Sequence, residues 1–130
     1  MDSLVGNSGR VYTPLPIDPQ QGFPQVFSFQ VDNRVYRFTL YVDMDAGLLA
    51  GTDTLFSLPA TDAFLVVKVE RTNSDGTSKI VFLRKVTPEQ EYEAENIALI
   101  FPMQTLARNN INGQGDFGSQ VVGGIAPRWA

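Results

Sequence analysis

The chain has 130 residues, 43% of them hydrophobic and 18% charged, with a net charge of −4, the make-up of one globular domain and not of a disordered segment. It has no cysteine and no histidine, which excludes disulfides, thiol chemistry, Ser-His triads and most zinc sites. Residues 1–65 carry three basic and seven acidic groups, and 66–130 seven of each, so no basic face stands out for nucleic acid.

The apolar runs are far too short to span a membrane. The opening MDSLVGNSGR lacks the basic and apolar regions of a signal peptide. Residues 1–24 are rich in turn formers, and Thr13–Pro24 holds four prolines. Proline fixes φ and removes a donor, so this stretch is expected as an extended N-terminal arm.

A β domain is expected over 25–108. Phe27, Phe29 and Val31 alternate with polar residues, as do Tyr36, Phe38, Leu40 and Val42 on the far side of Asp32-Asn33. Period-two patterning on both flanks of two residues that tolerate positive φ predicts a hairpin. Residues 43–63 read as a long connection with a short strand at Thr54–Leu58. Phe64–Arg71 and Lys79–Lys85 flank the turn cluster around Asp75-Gly76 and predict a second hairpin. After a turn at Pro88, a strand is expected near Ala94–Phe101, stopped by Pro102, with one helical turn in the following MQTLARNN. Short strands at short spacing predict an all-β fold: a small antiparallel sandwich or a partly open barrel with extended N- and C-terminal arms.

Three polar patterns are candidates for chemistry. Glu89, Glu91, Glu93 and Glu95 recur at period two and could act as paired carboxylates; a solvated face or turn is the expectation. Asp43, Asp45, Asp53 and Asp62 could supply oxygen ligands to calcium, yet their spacing fits no loop motif, and turn-forming aspartates are expected instead. Gly113-Gln114-Gly115 begins like a dinucleotide fingerprint but leads to no helix. No cofactor, no metal and no catalysis are expected.

The segment Gly115–Ala130 has four glycines and ends on the single tryptophan. With residues 109–130 read as a glycine-rich C-terminal arm, Phe117, Val121, Val122, Ile125, Arg128 and Trp129 become the candidate partner interface. Conformable backbone and spaced apolar anchors suit docking on another subunit. The alternative for the segment is that it covers a sheet edge of its own domain.

PLPIDP, QVFSFQVDNRVYRFTLYV, the later NSDGTS turn and the closing glycine-rich stretch resemble the small baseplate plug proteins of phages with contractile tails. The resemblance covers residues 14–42 well and 64–86 loosely. It implies a β-rich virion component made in the host cytoplasm. Its partners would be other tail subunits, copies of itself among them, with no nucleic acid and no membrane. A neck or capsid-decoration role is an alternative, as is a free carbohydrate- or ligand-binding β-sandwich.

Overall fold

The computed structural model describes residues 4–44, 55–59, 63–111 and 113–129. In chain order the strands are β1 (Leu4–Val5), β2 (Val11–Pro14), β3 (Gln25–Val31), β4 (Arg34–Met44), β5 (Leu55–Ser57), β6 (Ala63–Thr72), β7 (Ser78–Val86), β8 (Glu91–Ala94), β9 (Ile97–Ala107) and β10 (Gln120–Pro127). Single 3-10 turns lie at Pro19–Gln21 and Arg108–Asn110. One sheet runs β3-β4-β6-β7. The other runs β1-β2-β10-β9-β5, with β8 beside β5 on the same flank of β9. Every pairing between named strands is antiparallel. The all-β sandwich expected from patterning is the fold.

Local sequence explains the hairpins. Asp32 and Asn33 both have positive φ (49° and 65°), and Val31 pairs Arg34 directly across them. This is the two-residue turn whose twist matches the strands. At the second hairpin Gly76 takes φ 88°, and the Asp75 carboxylate accepts from the Thr77 amide at 3.0 Å. Alternation then sends Phe38, Leu40, Leu65, Val67, Val69 and Phe82 inward, to meet Leu99, Phe101, Val121 and Ile125 of the facing sheet. Phe27 stacks on Phe38 at 5.1 Å, and Phe82 meets Tyr92 edge-on at 5.5 Å. Each fully buried side chain among these contributes about 1.5–3 kcal/mol of transfer free energy.

Three expectations are corrected. The single strand expected at Ala94–Phe101 is two, β8 and β9, joined at Glu95-Asn96 with Glu95 at φ 50°. Pro102 does not stop β9. Val122 pairs Met103 whereas Gly124 pairs Ile100, so Gly123 faces both Phe101 and Pro102, and the missing N–H of proline falls at a bulge. The helical turn expected within MQTLARNN is confined to Arg108–Asn110, because Met103–Leu106 continue the strand.

A further correction concerns both arms. Residues 109–130 do not form a projecting C-terminal arm: β10 lies between β2 and β9, inside the sheet. Nor is 1–24 a free arm, since β2 pairs β10 and the Leu15 amide donates to the Gly123 carbonyl at 2.9 Å. The physical reason is burial on both faces. Val121, Gly123 and Ile125 point inward, where Phe101 and Ile17 press on Gly123. Val122, Gly124 and Ala126 point outward, and Tyr12 and Leu4 cover Gly124. A strand apolar on both faces shows no polar alternation.

Candidate functional site

The six residues expected to form a partner interface are not brought together. Val121 and Ile125 are buried in the core of their own domain, and Val122 is half-buried opposite Met103. Val121 and Ile125 cannot serve as docking anchors, because their apolar surface is already buried inside the sandwich. Phe117 is exposed in the loop before β10. Arg128 and Trp129 follow the strand: the Arg128 amide donates to the Asn96 carbonyl at 2.8 Å, and its guanidinium sits 4.9 Å from the indole centre. Trp129 is 77% exposed. Of the six, Phe117, Arg128 and Trp129 still reach the surface.

The glutamates are not one solvated face. Glu89 is exposed, Glu93 is exposed but pairs with Arg10 and Arg128, and Glu91 and Glu95 are tied down. Glu91 accepts from the Tyr12 hydroxyl at 2.6 Å, the Ser8 hydroxyl at 2.8 Å and the Ser8 amide at 2.9 Å. Tyr12 itself is fully buried over Ala98, Ile100 and Ala126. The β1–β2 hairpin therefore folds from its edge of the sheet over the outer side of β8, β9 and β10, with Glu91 as its latch. Glu95 pairs with Arg71 and with Lys79, joining the β8–β9 turn to the facing sheet. Arg10 extends the network, donating to the Arg128 carbonyl at 2.9 Å.

Hydrogen bonding from Tyr12, foremost, and then from Ser8 holds the Glu91 carboxyl below the usual carboxylate range. Burial, foremost, and the Glu91 carboxylate push the Tyr12 phenol up. The proton therefore stays on tyrosine. A depressed carboxyl pKa stabilises fully above its unfolded value, about 4.3, and the gain is lost as pH falls through the folded value. A raised phenol pKa stabilises fully below about 10, and that gain is lost as pH rises through the folded value. The latch is thus complete between those limits. Glu91→Ala should cost about 1–2 kcal/mol, since it strands a buried hydroxyl, and should flatten the acid limb of stability against pH. Glu89→Ala should stay within about 0.5 kcal/mol. Chemical denaturation of both variants from pH 3 to 7 checks this.

Asp43 reaches Lys85 at 3.7 Å; Asp45, Asp53 and Asp62 lie outside the described residues. The Gly113-Gln114-Gly115 stretch is a loop closed on buried Asn110, whose amide donates to the Gly113 and Gly115 carbonyls at 3.2 and 3.0 Å. No helix among the described residues is long and apolar enough to cross a membrane.

The surface that stands out was not singled out by sequence. The outer face of the six-stranded sheet has its own hairpin cover. The outer face of the four-stranded sheet has none among the described residues. Register places Val26, Thr39, Lys68 and Leu83 in one row across it, with Tyr41, Val66 and Lys85 in the next. Val26 is 50% exposed, Tyr41 37%, Ile80 50% and Leu83 51%. Val66 is buried, and the Lys85 ammonium sits 4.3 Å from the Phe64 ring centre. The charges between these side chains are largely self-paired, as Lys68 with Glu70 at 3.7 Å. The sequence signal was the breakdown of alternation: FLVV and IVFL place apolar residues on both faces at once.

Comparison with family models, curated proteins and solved structures gives no match.

Proposed function

We propose that the chain is a structural subunit of a phage-type virion, in the hub or plug region of a tail baseplate, working through protein–protein contacts. One observation carries the contact reading: the face of the four-stranded sheet, uncovered among the described residues, displays Val26, Tyr41, Ile80 and Leu83 on a continuous ladder. Large apolar side chains held on strands, with paired charges around them, suit burial against a partner. The resemblance of residues 14–42 and 64–86 to baseplate plug proteins supplies the assembly.

The test is incorporation. A Tyr41→Asp, Leu83→Asp double variant changes outward positions only, so its melt should stay near that of the parent. Each lost anchor contributes on the order of 2 kcal/mol at a contact, so incorporation into co-expressed tail hubs should fall at least about tenfold. Undiminished incorporation by a folded double variant would remove this face from the assembly.

A further inference from the structure

The two edges of the four-stranded sheet are built differently. Among the described residues β7 pairs only β6, and it carries Lys79, Arg84 and Lys85 and a register shift beside Val81. Charges and bulges of this kind keep a second chain from adding to an edge. β3 pairs only β4. Its sequence, QVFSFQV, has no charge and no proline, and its register has no shift.

The turn fixes which backbone groups of β3 face outward. Val31 and Arg34 close a two-residue hairpin, so they exchange both backbone bonds. Counting back by twos, Phe29, Phe27 and Gln25 also bond inward to β4. Val26, Ser28 and Gln30 therefore turn N–H and C=O away from the sheet. No turn, loop or cap bond among the described residues takes up these groups.

We infer that the β3 edge takes the β3 edge of a second copy of this chain, antiparallel about a two-fold axis at Ser28. Outward groups lie only at Val26, Ser28 and Gln30, and this register alone uses all three. Ser28 meets the partner's Ser28, and Val26 meets the partner's Gln30 in both directions, for roughly six inter-chain bonds. Shifting the axis to Phe27 or Phe29 leaves only about four. On the inner face Phe27 meets the partner's Phe29, so half-buried aromatic surface is covered on both sides. No pair sets like charges opposite each other. The Arg37 side chains, next to Ser28 in the same row, stand about three strand spacings apart, roughly 14 Å, beyond the screening length. The result joins two four-stranded sheets into one of eight strands.

Seven residues of strand cover less than the ~1,600 Å² of a standard interface, so the dimer is weak and concentration-dependent. The inference deepens the reading of the chain as an assembly subunit and rests on it in taking contact as the function. Its test uses the isolated chain, so it can fail while incorporation succeeds, and the reverse.

The experiment is sedimentation equilibrium of the full chain from about 5 to 500 μM, with two variants. Ser28→Pro removes an outward N–H and leaves the β3–β4 ladder whole, as an edge strand permits. Ser28→Lys keeps the backbone and sets two like charges on the axis. Both should weaken a reversible dimer at least tenfold with the β spectrum kept. In a chain without cysteine, Ser28→Cys should form a disulfide dimer far faster than Lys79→Cys on β7, since paired Cα atoms about 5.5 Å apart fall within disulfide range. A chain monomeric throughout overturns the inference, as does a dimer indifferent to both variants or a Ser28→Cys variant that cross-links no faster than Lys79→Cys. A monomer whose Ser28→Pro variant loses incorporation overturns it too, assigning the edge to a strand of a different subunit.

Discussion

Truncation after Gln114 should abolish cooperative folding. The deleted segment contains β10, which separates β2 from β9. Removing it leaves the β10 side of β9 unpaired and cuts β2 off from the rest of its sheet, so the β1–β2 hairpin loses its seat as well. Val121, Ile125 and Ala126 are all buried. Two large core side chains contribute about 1.5–3 kcal/mol each, before the lost ladder and the stranded Tyr12 are counted. A domain of this size is stable by only about 5–15 kcal/mol in total. The truncated chain should show no sigmoidal thermal melt and no near-ultraviolet signal from packed aromatics. A cooperative melt within a few degrees of the full chain would mean that β10 is not part of the core. Truncation after Arg128, which removes Trp129 and leaves the whole strand, is the control and should keep the melt.

Gly22→Ala should be the most damaging single methyl among the described glycines. Gly22 has φ 83° and ψ 175°, a region reserved for glycine, where another residue costs on the order of 1–3 kcal/mol in strain. Space is lacking too: an added Cβ would run into the Gly113 carbonyl, with the Asn110 carbonyl oxygen at 3.1 Å. These obstacles are backbone and cannot swing aside. They also belong to the junction that binds the two ends of the chain. The Phe23 amide donates to the Asn110 carbonyl at 2.8 Å, and the Gly115 amide to the Gln20 carbonyl at 2.8 Å. Strain and clash together should lower stability by about 3 kcal/mol or more, read as a shift in denaturation midpoint at constant slope. Gly76→Ala is the comparison. It shares a positive φ of 88° but has open space around it, so its cost should be strain alone, about 1 kcal/mol.

Sequence by itself determined the two central hairpins and the fold class. Alternation about Asp32-Asn33 and about Asp75-Gly76 is local: the turn residues supply the backbone and the flanking side chains supply the face, so nothing distant is needed to read them. The short strand expected at Thr54–Leu58 is present as Leu55–Ser57. What only the tertiary structure decided is the fate of the two ends. Gly123-Gly124 looks like a hinge in isolation, because glycine carries no face of its own. Its meaning comes from Phe101 and Ile17 on one side and Tyr12 and Leu4 on the other, residues far away along the chain. Glu91 looked like one of four equivalent carboxylates until Tyr12 and Ser8, some eighty residues earlier, were seen to close on it. The surface residues Val26, Tyr41, Ile80 and Leu83 were hidden for the converse reason. Periodicity marks an apolar residue as facing one way or the other, and only the packing of the second sheet says which face is covered.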